Sequence, residues 1–406
     1  MAHLNLALGV QVCFAAIVGG ESSMHPQIRE LAKRGVEPLL IVAALLLSLT
    51  YAAAADGSPG ITTPTLFKPY DPAAPLCSKP AKLKPILAFA KDNDREFIEG
   101  VDHGLAQAAK DRGLQYRVAL AANDSARMIA DVEALQAARV GGIVVSPVDP
   151  AALATSLQRA MWSGIYVSTV VAPPATSLLN APQYLTGKEL GDAAVAYIQE
   201  KLGGRADVVL LTQDSLQFLT PRFVAIRDAL DTLPDVRIVA DISPNPVSKE
   251  GGLATMRTIL LAHPHVDVVL GADGVLLGAL QALREAGKDR SDQFIGGIDG
   301  EPEAIAEIKK GGPYKMTISL NSPVFGYAMG QHAADWLEGK QIPQAMDILP
   351  HMITAENLGD YQRDLANPGA VYADAARRDA YLRMYGNICY DSRDQYVNFP
   401  WSSEVK

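Results

Sequence analysis

Residues 86–121 read ILAFAKDNDREFIEGVDHGLAQAAKDRGLQYRVALA, and this stretch determines the class of fold. Short apolar runs at Ile86–Ala90 and Val118–Ala121 flank a segment of helical character, Phe97–Arg112. Two such runs joined by a helix form a β-α-β unit, in which the two strands pair in parallel. The stretch therefore predicts an α/β fold.

The same alternation of strands and helices extends along most of the chain. It stops at Ala172-Pro173-Pro174 and resumes with a helix from Glu189, so we place a break near Tyr184–Gly187. Further strands are predicted at Gly142–Ser146, Ile165–Val171, Val208–Leu211, Val236–Asp241, Val266–Leu270, Phe294–Gly297 and Lys315–Leu320. Two sets of strands with intervening helices predict two doubly wound lobes, each with a mainly parallel sheet.

Composition narrows the class of protein. A chain of 406 residues is long enough for two or three domains, and 49% hydrophobic residues exclude a disordered chain. The net charge of -9, from 36 basic and 45 acidic residues, argues against a nucleic-acid-binding protein. Three cysteines are too few for a disulfide scaffold, and the seven histidines show no metal-ligand spacing.

The motifs of catalysis and cofactor binding are missing from the sequence. A Rossmann enzyme needs a glycine-rich turn after its first strand, whereas residues 91–96 read KDNDRE. The glycines at Gly271 and Gly274 lack the fingerprint spacing, and they favour tight packing of a strand on a helix. Phosphate-binding loops, nucleophile elbows and zinc-protease motifs are not found either. We therefore predict a protein that is not an enzyme and uses no cofactor or metal.

The N-terminus predicts export. Three basic residues precede the apolar run Leu39–Leu49, and small residues follow as far as Ala55. This is the pattern of a secretory signal peptide, so residues 1–55 are predicted to be removed by cleavage after Ala55. An uncleaved anchor is the alternative, although the run is short for a membrane span. Translation is expected to start at Met24, and the Pro- and Gly-rich residues 56–83 are predicted to form an extended lead-in.

Polar side chains follow the carboxyl ends of the predicted strands, where ligands bind in open α/β sheets. Planar polar groups beside an aromatic face suit a polyhydroxylated ligand, because each hydroxyl both donates and accepts hydrogen bonds. Each candidate also has a structural interpretation, as a turn cap, a surface ion pair or ordinary core. The candidate ligand-binding residues are Lys91, Arg95, Phe97, Thr169, Gln213, Arg222, Asp273, Asp299 and Asn321.

Five short motifs follow one another along the chain between residues 84 and 343. They read FIEGVDHG at 97–104, GIVVSP at 142–147, LLAHPHVDVV at 260–269, LGALQAL at 277–283 and GGIDG at 296–300. In this order they resemble the ribose/galactose-type periplasmic solute-binding proteins of sugar ABC importers. The resemblance implies a type I periplasmic binding protein-like fold, in which two lobes joined by a three-crossing hinge close on a ligand in the interlobe cleft.

The resemblance also implies roles for individual residues. The stacking aromatic of the family falls on Phe97, and the polar residue of the preceding loop falls on Arg95. The arginine of the second lobe falls on Arg222, the aspartate of the Asp-Gly turn on Asp299, and a polar residue at the third crossing near Asn321.

Three departures from the family pattern affect the expected ligand. Val171 and Ala172 stand where pentose and hexose binders usually have an Asp-Arg pair, and Val247 falls near the second stacking aromatic. These changes make ribose or galactose doubtful. Because Lys91 and Arg95 add positive charge at the mouth of the cleft, an anionic or otherwise modified polyol is the more attractive hypothesis.

The expected domains follow from the same comparison of patterns. The N-terminal lobe comprises residues 84–185 and about 322–350, the C-terminal lobe comprises 186–321, and a Tyr-rich extension occupies 351–406. Six of the 14 tyrosines lie in the last 46 residues, which predicts a tail packed onto the body.

Cys77 precedes the first strand and Cys389 lies in the extension. These two cysteines either form a disulfide that joins the tail to the lead-in or remain as two buried free thiols.

The leading functional hypothesis is a monomeric periplasmic protein that captures a small, sugar-like ligand and delivers it to a membrane ABC permease. A sensor that docks on a chemoreceptor or histidine kinase is the alternative, and its pocket would be the same. A sugar-responsive repressor shares the two-lobed body, but it would need a DNA-binding domain before residue 84, where the signal peptide lies. An exported enzyme lacks a catalytic set.

Overall fold

The computed structural model describes residues 67–170, 174–214, 216–399 and 401–404. The predicted signal peptide, the start at Met24 and the cleavage site at Ala55 lie outside the described residues. None of the helices within the described ranges combines the length and the apolar character that a membrane span requires.

The first sheet begins with the β-α-β unit that the sequence predicts. Strand β1 (Lys84–Lys91), helix α1 (Glu96–Asp111) and strand β2 (Gln115–Leu120) follow one another, and β1 pairs with β2 in parallel. The elements that follow are α2 (Ser125–Ala137), β3 (Val140–Val145), α3 (Pro150–Trp162), β4 (Tyr166–Val170) and β5 (Ser177–Asn180).

The second sheet is built by the middle of the chain. Its elements are α4 (Gln183–Lys201), β6 (Arg205–Leu211), α5 (Thr220–Leu230), β7 (Asp235–Ile242), α6 (Lys249–Ala262), β8 (Val268–Gly271), α7 (Asp273–Glu285), β9 (Phe294–Asp299), α8 (Pro302–Lys310) and β10 (Tyr314–Ser319). Short 3-10 helices occupy Gln217–Leu219 and, near the C-terminus, Tyr390–Gln395.

The last part of the chain adds two strands to the first sheet and one strand to the second. Its elements are α9 (Ser322–Leu337), β11 (Ala345–Ile348), β12 (His351–Thr354), α10 (Leu358–Ala366), α11 (Pro368–Ala373), α12 (Ala375–Tyr381) and β13 (Leu382–Tyr385). The strand orders are β13-β11-β5-β4-β3-β1-β2 and β12-β10-β9-β8-β6-β7. Strands β12 and β13 run antiparallel to their neighbours, whereas the other pairs are parallel.

One apolar core of the first lobe lies between its sheet and the helices α1 and α9, and another lies between the sheet and the helices α2 and α3. Leu87 and Phe89 of β1 are buried against Leu105 of α1 in one apolar cluster. At Gly104 an added Cβ would lie 2.1 Å from the carbonyl oxygen of Pro323. The glycine therefore lets α1 approach α9 closely, and this packing positions α1, whose first turn borders the space between the lobes.

The chain passes between the two sheets at the three places that the hinge prediction requires. It leaves the first sheet between β5 and α4, returns between β10 and α9, and crosses again between β11 and β12. A fourth passage was not predicted. Helix α10 packs with Ile305 and Ile353 of the second lobe, whereas Val371 of α11 lies in the core of the first lobe.

Helix α4 corrects the predicted break near Tyr184–Gly187, because it already begins at Gln183. Two features explain the difference. At Gly187 an added Cβ would lie 1.8 Å from the carbonyl oxygen of Arg222. This glycine therefore allows α4 to pack closely against α5, and it does not interrupt α4. The first turn is capped from a distance, since Glu404 accepts hydrogen bonds from the amides of Tyr184 and Leu185.

A disulfide joins Cys77 to Cys389 in the structure. The two residues are 312 positions apart, and their Cα atoms are 6.3 Å apart. The tail also packs its Trp401 ring against Phe67, with 5.6 Å between the ring centroids. The segments before β1 and after β13 are thus bound to each other.

Candidate functional site

A cleft of about 780 Å³ lies between the carboxyl edges of the two sheets. Phe97 and Val170 line it from the first lobe, and Arg222 and Asp299 line it from the second. This volume is in the range of pockets that enclose small organic ligands. Of the predicted site residues, the cleft brings together Arg95, Phe97, Gln213, Arg222 and Asp299.

Arg222 and Asp299 form the charged floor of the cleft. Arg222 is 3% exposed; its Nε donates to Gln183 Oε1 at 3.0 Å, and a terminal nitrogen lies 3.9 Å from Asp299 Oδ1. Burial lowers the pKa of Arg222, which Asp299 opposes, and burial raises the pKa of Asp299, which Arg222 and Arg95 oppose. At 3.9 Å the two groups leave hydrogen-bonding positions open on both.

The Asp299-Gly300 turn has a strained backbone. Asp299 has φ +117°, which side-chain-bearing residues rarely adopt, and Gly300 follows with φ +74°. Asp273 holds this turn, because its carboxylate accepts hydrogen bonds from the Glu301 amide, the Tyr314 hydroxyl and the Thr317 hydroxyl. Strain of this kind is retained where the surrounding contacts enforce it, and it aims the Asp299 carboxylate into the cleft.

Several buried polar atoms around the cleft have no hydrogen-bond partner within the described residues. Gln213 Oε1 is one of them, and Gln213 itself lines the cleft. Both side-chain polar atoms of Asn321 are also unpartnered, at the start of α9 and next to the lining residues Leu320 and Ser322. An unpaired buried polar group is unfavourable by roughly 1–3 kcal/mol, so Gln213 Oε1, which belongs to the cleft lining, is suited to a polar ligand.

Lys91 occupies a different environment from the one that the sequence suggests. Its Nζ lies within 3.1 Å of carboxylate oxygens of Asp94, Glu99 and Asp102, and it is not among the residues that line the cleft. Burial opposes its charge, but hydrogen bonds to these three carboxylates raise the pKa of Lys91 above its usual value. Its charge is therefore neutralised inside the first lobe.

Asp273, Thr169 and Asn321 also lie outside the cleft lining. Asp273 and Thr169 are fully buried, and the three hydrogen bonds of Asp273 are all internal. Burial raises the pKa of Asp273 well above its usual value. We therefore assign Asp273 to positioning of the Asp299-Gly300 turn. The departure predicted at Val171 and Ala172 lies outside the described residues, whereas Val247 lines the cleft.

Phe97 presents a half-buried ring at the start of α1. The ring packs against Phe325, with 5.7 Å between centroids, and the Phe97 side chain lines the cleft. The buried neighbour fixes the ring, which leaves its other side free for the C–H face of a ring-shaped ligand. Arg95 is 56% exposed and pairs with Asp92 at 3.4 Å, so it lies at the mouth of the cleft.

Sequence reasoning missed the acidic side chains of the cleft. Glu96, Glu99 and Glu301 line it together with Asp299, so four carboxylates face two guanidinium groups, Arg95 and Arg222. Burial raises the pKa of Glu301 to about 7, and Asp299 and other nearby carboxylates contribute to the rise. The Glu-x-x-Glu spacing at the start of α1 was a visible signal for Glu96 and Glu99. Clusters of His, Cys, Asp or Glu that could hold a metal ion are not found among the described residues.

We expect the raised pKa of Glu301 to make stability depend on pH. Between about pH 4.3, the ordinary glutamate pKa, and pH 7, the native state holds a proton that the unfolded chain has lost. The unfolding free energy of the wild type, minus that of Glu301→Gln, should therefore fall as pH rises through this window and level off above pH 7. Urea unfolding of both proteins at pH 5, 6, 7 and 8 measures this difference in free energy.

The exposed Glu356→Gln is the matched control, because it removes a carboxylate outside the cleft. The unfolding free energy of the wild type, minus that of Glu356→Gln, should stay constant over the same pH range. A flat difference for Glu301→Gln would contradict the assignment of a raised pKa.

Three comparisons with known proteins agree with this geometry. A model of a periplasmic binding protein domain matches residues 86–341. The chain is 27% identical over 258 residues to the ribose import binding protein RbsB of Bacillus subtilis, covering 62% of this chain and 80% of that protein. It is 29% identical over 266 residues to the xylitol-binding protein of Mycolicibacterium smegmatis, covering 64% and 75%.

The solved structures include the Caulobacter myo-inositol binding protein bound to myo-inositol. It superimposes with a TM-score of 0.57 at 25% identity, covering 68% of this chain and 96% of that one. The alignment therefore includes almost all of that protein, and the segment beyond residue 341 falls outside the matched family domain.

Proposed function

Because the chain belongs to the periplasmic binding protein domain family, we propose that it captures a small polyhydroxylated solute by lobe closure and delivers it to a membrane ABC permease. The family is made up of transporter solute-binding proteins, so we assign this chain no reaction of its own. We further propose that it acts as a monomer and is exported after cleavage near Ala55.

The observation that carries this proposal is a single cleft with binding groups from both lobes. Phe97 lies on the first lobe, and Arg222, Asp299 and Gln213 lie on the second. A ligand that contacts both sides makes more contacts in the closed form than in the open form. It therefore shifts the population toward closure, the form that a permease can recognise.

We propose that the ligand is an uncharged sugar or polyol. The anionic hypothesis rested on Lys91 and Arg95, but Lys91 is neutralised by three carboxylates and Arg95 pairs with Asp92. Glu99 is paired with Lys91, so the acidic groups of the cleft lining that face the buried guanidinium of Arg222 are Glu96, Asp299 and Glu301, and this excess of acidic groups disfavours an acid. Ribose, xylitol and myo-inositol, named for the relatives, are uncharged and polyhydroxylated.

Thermal unfolding and titration calorimetry with D-ribose, xylitol, myo-inositol and D-galacturonate test the proposal. A ligand at about 100 times its Kd stabilises the native state by roughly 2.7 kcal/mol, which raises the melting temperature. We expect at least one neutral polyol to bind and the sugar acid to bind more weakly. Tighter binding of D-galacturonate would contradict the uncharged class, and binding of none of the four would contradict the function.

A further inference from the structure

Helix α10 forms a wall of the cleft with residues from outside the family domain. The family match ends at residue 341, yet Tyr361 and Leu365 line the cleft. They are four positions apart, so they lie on the same face of the helix. The cleft thus has a third source of side chains besides the two lobes of the matched domain.

Helix α10 is fixed in place from both lobes. Tyr361, 2% exposed, packs with Ile305 and Ile353 of the second lobe. On the other side, the Asp364 carboxylate accepts a hydrogen bond of 2.7 Å from the Tyr381 hydroxyl, and Tyr381 belongs to the core of the first lobe. Because α10 contacts both lobes, its face toward the cleft is held in a defined position.

The Tyr361 hydroxyl is paired in a way that leaves a hydrogen for another acceptor. It lies 2.5 Å from the Ser319 hydroxyl, which also accepts from the Asn321 amide at 3.0 Å. The bond between the two hydroxyls uses one of their two hydrogens, and the described residues provide no acceptor for the second. Burial raises the pKa of Tyr361 to about 12, so the phenol stays protonated.

Resting on the proposed function, we infer that Tyr361 and Leu365 contact the ligand and determine specificity. Ser319 donates to the Tyr361 oxygen, and Tyr361 donates its own hydrogen to one hydroxyl of the ligand. Leu365 bounds the apolar side of the same ligand. The extension of this chain thereby selects among polyols that the two lobes would otherwise accept.

The variant Tyr361→Phe tests this inference because it keeps the ring and removes only the hydroxyl. Calorimetry gives the Kd of the tightest of D-ribose, xylitol and myo-inositol, and of each of its monodeoxy analogues. We expect a 3- to 10-fold weaker Kd for the parent polyol, in line with the loss of one hydrogen bond. The analogue that lacks the contacted hydroxyl should bind wild type and variant within 2-fold, so discrimination between the two ligands narrows.

Tyr396→Phe is the matched control, since its hydroxyl contacts Gln158 on the first lobe, outside the cleft. Leu365→Ala, at a half-buried position, is a second variant that keeps the inference testable if Tyr361→Phe does not fold; it should weaken the parent polyol 3- to 10-fold. Equal weakening of parent and analogues by Tyr361→Phe, or no weakening by either variant, would overturn the inference while the proposed function stands. Binding of no polyol by the wild type would overturn both.

Discussion

Arg222→Ala is expected to weaken binding of the proposed polyol by roughly 30-fold or more, and Asp299→Ala by a similar factor. Truncation of one partner of a buried charge pair reduces the binding free energy by about 2–5 kcal/mol, and each 1.4 kcal/mol is tenfold in Kd. Arg222 is almost fully buried and its terminal nitrogen lies 3.9 Å from Asp299, so the ligand would complete the hydrogen bonds of both. Titration calorimetry with the tightest polyol measures the change.

Arg227→Ala is the control for this prediction because it lies on the same helix, α5. Its guanidinium pairs with Asp241 at 2.7 Å and does not line the cleft. Its removal should leave the Kd within 2-fold of wild type. Arg222→Lys separates charge from geometry: a lysine cannot reproduce the bond to Gln183 together with the approach to Asp299, so most of the loss should persist. A wild-type Kd in Arg222→Ala would show that the ligand binds elsewhere.

The alternation of strands and helices made the two-lobed fold predictable from the sequence. Apolar runs such as Ile86–Ala90 are buried strands, and the helical segment predicted at Phe97–Arg112 forms helix α1, Glu96–Asp111. The elements that were missed have a common physical cause. Strands β11 and β13 have four residues each, and they gain their stability from pairing, β11 with β5 and with β13, which no local pattern records.

The candidate site was predictable where a strand end alone decides the position. Asp299, the last residue of β9, reaches the cleft as the strand-end rule implies, whereas Arg222 reaches it from the first turn of α5. Lys91 does not, because its partners Glu99 and Asp102 come from the helix that follows, one turn apart. Tyr361 could not be found in this way, since a passage of the tail across both lobes brings it to the cleft.

Reduction of the disulfide between Cys77 and Cys389 should lower the unfolding free energy by about 2–5 kcal/mol. The bond closes a loop of 312 residues, so its absence gives the unfolded chain much more conformational freedom. Urea unfolding with and without dithiothreitol measures the effect. Peptide mapping of the alkylated protein should find Cys77 and Cys389 unmodified until reductant is added.

The same bond should matter little for ligand binding under native conditions. Helix α10 is held by Ile305 and Ile353, and β13 pairs with β11 through four residue pairs, so we expect both contacts to persist when the disulfide is reduced. We therefore expect Cys77→Ser/Cys389→Ser to bind the polyol within 2-fold of wild type and to unfold in urea like the reduced protein, with no further response to dithiothreitol. Unchanged stability on reduction would contradict the pairing of the two cysteines. A large loss of affinity at full native structure would instead show that the disulfide positions the tail wall of the cleft.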